Sequence, residues 1–263
     1  MRGEEAEGRP VHGELLLRFA LARTPSLYLM YTSPTVPAIE ILFVDAHVVV
    51  ANKPSGLLVH RGWDNDDDVA LFRVRDALGQ HVPTLHRQDR GTSGALLFAR
   101  TREVAACLSK AFEEGRVEKR YLALVRGTPP GAGVIDYAIP GKEGGQRVSA
   151  VTRFRLLASS PVDRCSLVLA VPETGRLHQV RRHLRHINHP LVGDVTHGSG
   201  EINRRYRAQY NLCRLALHAH LLAFEHPVTA ARIEVTAPIP DDFGAALTLL
   251  GLPRGVEHED VSP

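Results

Sequence analysis

Residues 86–99 read His86-Arg87-Gln88-Asp89-Arg90-Gly91-Thr92-Ser93-Gly94-Ala95-Leu96-Leu97-Phe98-Ala99. A polar, glycine-bearing loop runs straight into an unbroken apolar run. A short apolar run bounded by turn residues is the pattern of a buried strand, predicted here over residues 95–99. Thr101 then offers a hydroxyl where a helix cap is needed. Val104, Ala105, Leu108, Ala111 and Phe112 follow at helical spacing, and Gly115 closes the helix. Residues 119–125 read as a further strand, with Tyr121, Ala123 and Val125 on one face. The loop around Asp89 thus feeds a strand, a helix and a second strand.

The pattern extends outward in both directions. The β-branched runs at 41–44 and 47–51, joined across Asp45 and Ala46, predict a hairpin, and Asn52-Lys53-Pro54-Ser55-Gly56 predicts a turn. A helix is predicted over 69–78. Strands are predicted over 152–157, 166–171, 217–224 and 232–236, and helices over 178–187 and 242–250. Strands cluster with helices interspersed, without strict βαβ alternation. That predicts an α+β fold: a mixed, largely antiparallel sheet with flanking helices. The division predicted is a poorly ordered extension over 1–38, one catalytic domain over 39–250, and a flexible tail over 251–263. In the extension, charges mix without period and Pro25, Pro34 and Pro37 interrupt them. The core pattern begins just after Met30, which is a candidate translation start.

A chain of 263 residues with 44% hydrophobic residues can bury its own core without disulfides or a structural metal. Cys107, Cys165 and Cys213 are far apart and form no CxxC pair, which argues against a zinc ribbon or a secreted disulfide framework and for a reducing cytoplasm. No apolar run approaches the ~20 residues that cross a bilayer. Glu4, Glu5 and Glu7 stand where a signal peptide would carry positive charge. The net charge is +3, but between Glu173 and His220 eight arginines face three carboxylates, a local +5. A basic surface on a near-neutral protein points to a polyanionic partner or to a solvated basic face.

Two clusters could carry chemistry. Asp89, between Arg87 and Arg90, is either a structural ion-pair carboxylate or a catalytic one. Thr174-Gly175-Arg176-Leu177-His178-Gln179-Val180-Arg181-Arg182-His183-Leu184 is a tight turn feeding a basic helix. On it Arg181 and Arg185 lie one turn apart, a spacing suited to a nucleic-acid backbone. His178, His183, His186 and His189 invite a metal. No HExxH pattern or cysteine pair accompanies them, so no metal is expected. Asp64-Asn65-Asp66-Asp67-Asp68 lacks the glycine and closing glutamate of a calcium loop and reads as a solvated turn capping the helix at 69. There is no P-loop and no GxGxxG, and no cofactor is expected.

Taken together, these residues resemble the RluA family of RNA pseudouridine synthases. Residues 86–94 resemble its HRLDxxTSG signature. Asp45 through Val50, Lys53-Pro54, Gly56 and Val59-His60 resemble its opening motif. Residues 119–127 resemble its K-x-Y-x-A-x-V-x-G segment, and residues 174–184 its TGRxHQIRxHL motif. The likeness covers about residues 39–240. Residues 185–198, with Asn203 and Arg204, are similar to the branch that modifies the uridine at position 65 of tRNA. The alternatives are an rRNA-directed relative, or an RNA-binding or tRNA-folding protein without catalysis. Gln88 departs from the family's leucine.

The resemblance implies isomerisation of uridine to pseudouridine in RNA without metal or cofactor; the expected setting is the cytoplasm and the expected state a monomer. It implies Asp89 as the catalytic aspartate, Arg176 as its ion-pair partner and Tyr121 as the active-site tyrosine. Arg87 would fill the gap left by an extruded base. Lys53, Arg181, Arg182, Arg185, Arg204, Arg205 and Arg207 are the candidate phosphate contacts.

Overall fold

The computed structural model describes residues 38–61, 66–141 and 145–254. The expectations for the extension, including a start at Met30, and for residues 255–263 lie outside the described residues.

Eleven strands and five helices are described. In chain order they are β1 (Glu40–Val44), β2 (Val48–Lys53), α1 (Ala70–Leu78), β3 (Ser93–Ala99), α2 (Arg102–Glu113) and β4 (Glu118–Arg126). There follow β5 (Ala132–Asp136), β6 (Ile139–Pro140), β7 (Arg147–Val148), β8 (Val151–Ser159), β9 (Cys165–Pro172) and α3 (Gln179–His186). The described elements close with α4 (Gly200–Tyr210), β10 (Leu217–Glu225), β11 (Arg232–Thr236) and α5 (Asp241–Leu249). The main sheet runs β1-β2-β3-β10-β4-β9-β8-β5, with β11 also on β10, while β6 and β7 form a separate hairpin. Among the described strands of this sheet only β3 and β10 pair in parallel, so the sheet is mixed and largely antiparallel, as the sequence predicts. Among the described residues no helix is long and apolar enough to cross a membrane.

The strands read as continuous apolar runs because helices cover both sheet faces. On β3, Ala95, Leu97 and Ala99 pack with Val104 and Leu108 of α2, whereas Leu96 and Phe98 pack with Ala70 and Val74 of α1. On β4, Leu122 and Leu124 join Tyr206 of α4 and Phe243 of α5, whereas Tyr121, Ala123 and Val125 join Val180 and Leu184 of α3. The two-residue period of a strand therefore puts α3 and α4 on opposite faces of β4. Each fully buried Leu or Val contributes about 1.5–3 kcal/mol of transfer free energy.

Local chemistry sets the element ends. Thr101 accepts from the Val104 N–H at 3.3 Å and caps α2, as predicted. The cap expected before α1 is not made by the acidic run: Val69 is the capping residue and has no side-chain cap bond, while Asp68 pairs with Arg73 at 2.6 Å. Leu252 is buried against the α5 cluster, so the core continues past residue 250. The sequence reading omits α4, β5 and the β6–β7 hairpin.

β3 and β10 touch at only two pairs, His218–Ser93 and Ala219–Gly94, where the Asp89 loop enters the sheet. Gly94 has φ +108, and a Cβ there would lie 2.2 Å from the Ala219 carbonyl oxygen. Buried Ser93 lies 2.8 Å from His218 Nδ1 and accepts from Arg214 at 2.6 Å. Despite its serine–histidine pairing, this is a sealed structural junction.

Candidate active site

A second set of contacts fixes the Asp89 loop from below. Lys53 is fully buried, and its ammonium donates to the carbonyls of Leu57 at 2.7 Å, Pro54 at 2.9 Å and Arg90 at 3.2 Å. The Gly56 N–H donates to the Arg90 carbonyl at 2.8 Å, the Arg90 side chain returns a bond to the Gly56 carbonyl at 2.9 Å, and Ser55 donates to the Gly91 carbonyl at 2.7 Å. The Lys-Pro-Ser-Gly turn is thus a buttress for the loop. Lys53 is not placed for a phosphate: its charge points inward. Burial, with Arg214 nearby, pulls its pKa down to about 7.

His86 lies against Phe112 with ring centroids 4.4 Å apart and accepts the Leu97 N–H on Nε2 at 3.2 Å. Burial and the Lys119 charge push its pKa down to about 3, so the ring is neutral with its proton on Nδ1. Gln88 is buried; its amide reaches the Ala95 carbonyl only at 3.5 Å, and its Oε1 has no hydrogen-bond partner.

The loop delivers Asp89 to the wall of a cavity of about 340 Å³, within the range of small-ligand pockets. Arg87, Thr92, Lys119, Tyr121, Arg176, His178 and Arg181 also line it. The Asp89 side chain is 16% exposed, and its Oδ2 accepts from Arg181 at 2.9 Å. Arg181 is buried and uses its other two nitrogens on Asp194, at 2.7 and 2.8 Å. Asp194 has no exposed side-chain surface; its Oδ1 also accepts the N–H groups of Thr196 and His197, each at 2.9 Å. Burial opposes the Asp194 charge, but the Arg181 fork and these N–H groups outweigh it and hold the carboxyl below its usual range. One guanidinium therefore bridges two carboxylates, a geometry an ammonium cannot reproduce.

This corrects the ion-pair assignment. Arg176 stands before α3, is exposed, and turns its Nε to the Ser149 carbonyl at 3.3 Å. Arg181 lies beside the apolar stripe of Val180 and Leu184, so its side chain is carried inward toward the sheet. The signal for it was Asp194, one of three carboxylates in an arginine-rich stretch.

Tyr121 projects from β4 into the same cavity. Burial and the negative charge of Asp89 push its hydroxyl pKa up, so it remains a protonated donor. Buried Gln179, also missed from sequence, accepts from Thr174 at 2.7 Å and the Arg176 N–H at 3.0 Å, and donates to the Val151 carbonyl at 2.8 Å. It holds the 174–178 turn against β8. His183 interacts with Thr152 at 2.9 Å and the Tyr137 carbonyl at 3.0 Å, a buried structural network.

The basic set divides. Arg181 is committed to its carboxylates and is not available to phosphate. Arg182 bonds the Pro140 carbonyl at 3.2 Å, and Arg205 pairs with Asp163 at 2.9 Å. Arg87 and Arg185 are exposed, with Arg87 on the cavity rim and Arg185 on α3. Arg204, Arg205 and Arg207 are exposed on α4, which covers the other face of β4.

Comparison with known proteins adds to this geometry. Residues 47–186 match the family described as RNA pseudouridylate synthase. The chain is 42% identical over 234 residues to the tRNA pseudouridine synthase C of Yersinia pestis, covering 81% of this chain and 91% of that one. It is 42% identical over 246 residues to the protein of that name from Pectobacterium carotovorum subsp. carotovorum, covering 84% of this chain and 65% of the other. Among solved structures it is similar to human RNA pseudouridylate synthase domain containing 4, with a TM-score of 0.67 and 27% identity over 81% of this chain and 94% of that one.

Proposed function

The chain belongs to the RNA pseudouridylate synthase family and is an isomerase, and from that premise we propose that it converts uridine 65 of tRNA to pseudouridine with Asp89 as the catalytic carboxylate. In this reaction the N1–C1′ bond breaks and a C5–C1′ bond forms. C5 loses its hydrogen as a proton and N1 gains one, so the atoms balance without a co-reactant.

One observation carries the assignment: Asp89 is fixed by buried Arg181 on the wall of a cavity that Tyr121 also lines. A carboxylate taken from water needs a fixed cation, and Arg181, itself held by Asp194, supplies it. The Tyr121 ring offers a face on which a base can stack, and its protonated hydroxyl offers a donor. A base in a duplex must first leave its stack, at a cost of a few kcal/mol. Exposed Arg87, on the cavity rim, is placed to fill the vacated space.

The relatives named tRNA pseudouridine synthase C, and the likeness of residues 185–204 to that branch (TruC), support tRNA as the substrate. The large apolar side chains left exposed, such as Val44, Val134, Val162 and Val228, are scattered over separate elements, which supports action as a monomer. The cysteine usage read from the sequence supports a cytoplasmic setting.

Purified protein and tRNA tritiated at uridine C5 test this reading. Tritium release is expected from the wild type and is expected to vanish in Asp89→Asn while tRNA binding persists. Pseudouridine mapping in a deletion strain checks the site. Loss from rRNA alone would replace the tRNA assignment with an rRNA-directed one.

A further inference from the structure

Two histidines, one beside Asp89 and the other against the first, have no part in the function proposed above. His178 precedes α3 in the left-handed region, at φ +54, which is uncommon for a residue other than glycine. Its Nε2 faces Asp89 Oδ1 at 3.8 Å, on the carboxylate oxygen that Arg181 leaves open. Its Nδ1 lies 3.0 Å from His197 Nε2, with the rings edge to face. The His197 main-chain N–H is held by Asp194, the same carboxylate that orients Arg181. Asp194 thus anchors both devices that reach Asp89.

We propose that His178 is a positioning residue for Asp89 and that His197 acts through it by fixing its tautomer. Two neutral imidazoles this close form a hydrogen bond only if one donates and the other accepts. Were His178 the donor, its proton would sit on Nδ1 and a bare Nε2 lone pair would face the Asp89 carboxylate. With His197 as donor, His178 carries its proton on Nε2 and turns an N–H toward Oδ1. The second arrangement is electrostatically favoured. Asp89 is then held from two sides: Oδ2 by the Arg181 fork, and Oδ1 by an N–H that stands just beyond hydrogen-bond distance and leaves this oxygen free for substrate.

Burial keeps the pair neutral near pH 7 against the carboxylates beside it. Burial lowers the pKa of both rings. For His178, Arg181 and Arg182 lower it further, against Asp89 and Asp194, which raise it. For His197, Asp194 raises it, while Arg181, His178 and Arg182 lower it. One added proton leaves an imidazolium–imidazole hydrogen bond; only when both rings are protonated does N–H face N–H and the contact break, so the pair supplies an acid limb to the activity.

This inference rests on the proposed reaction, but its first readout does not. Long-range proton–nitrogen NMR of the wild-type protein reports the tautomer directly; His178 is expected protonated on Nε2, and protonation on Nδ1 would overturn the proposal. Steady-state kinetics on tRNA follow with His197→Leu and His197→Gln, the latter keeping an N–H donor. In His197→Leu, kcat is expected to fall about tenfold, the scale of one modest hydrogen bond. KM is expected to hold and the acid limb to move, with recovery in His197→Gln. Wild-type kcat and pH profile in a folded His197→Leu would overturn the assignment. An inactive wild type with the Nε2 tautomer would instead overturn the reaction and spare the geometry.

Discussion

Arg181 and Arg176 are five residues apart in one basic segment, yet the structure gives them opposite environments. Arg181 bridges Asp89 and Asp194 with almost no exposed surface, and Arg176 lies in solvent. Arg181→Lys keeps the charge but loses the planar fork that spans two carboxylates, so Asp194 stays buried with a poor partner. Removing one partner of a buried pair costs about 3–5 kcal/mol, and losses toward that range are expected in urea unfolding, together with loss of turnover. Arg176→Lys is expected to stay within about 0.5 kcal/mol of the wild type, as an exposed change should. Lys53 gives a test of the loop buttress. Unfolded lysine holds its proton up to about 10.5, whereas the buried Lys53 loses it from about 7. Between these values the unfolded chain binds more protons, so stability rises with pH; below about 7 both states are protonated and the burial cost is constant. The stability of the wild type minus that of Lys53→Met is therefore expected to climb between about pH 7 and 10, approaching about 1.4 kcal/mol per pH unit. A flat difference in urea midpoints across that range would remove the buried ammonium from the account.

Elements buried on both faces, or capped by a single unambiguous side chain, were plainly legible in the sequence. β3 reads as seven buried residues because α1 and α2 cover it from either side, and α2 begins where Thr101 stands. Helix α4 was not legible. It is polar nearly all round and buries only Tyr206 fully, so no apolar stripe marks it as a helix. The β6–β7 hairpin has two residues per strand, too few for alternation to show. At the site, Asp89 and Tyr121 were visible in motifs, but the partner of Asp89 depends on which side of α3 faces the sheet, and no spacing within the motif states that. The β3–β10 junction likewise became visible only in three dimensions, and Gly94 tests it. Gly56 and Gly94 both have positive φ, but a Cβ on Gly56 would meet nothing within 4 Å, while one on Gly94 would strike the Ala219 carbonyl. Gly56→Ala is expected to cost about 1 kcal/mol, the conformational penalty alone. Gly94→Ala is expected to cost clearly more in the same urea titration, because the parallel β3–β10 pairing must open.

Across the whole molecule, the positive charge that suggested a polyanionic partner is not one surface. Of the arginines between Glu173 and His220, Arg181 is consumed by carboxylates and Arg205 is paired with Asp163. The exposed remainder divides between α3, on the Tyr121 side of β4, and α4 on the other. An RNA whose uridine enters the cavity must lie over the face that carries Arg87 and Arg185. Each phosphate neutralised releases counterions and adds about 0.7 to 0.9 to the slope of log affinity against log salt. Arg185→Ala is therefore expected to weaken tRNA binding and flatten that slope by nearly one such increment. Arg207→Ala, on α4, is expected to leave both close to the wild type. Binding titrations at several salt concentrations separate the two variants from each other and from nonspecific attraction, which would respond equally to the loss of either charge. Equal effects would mean that the attraction is nonspecific and would remove the α3 face as the RNA footprint.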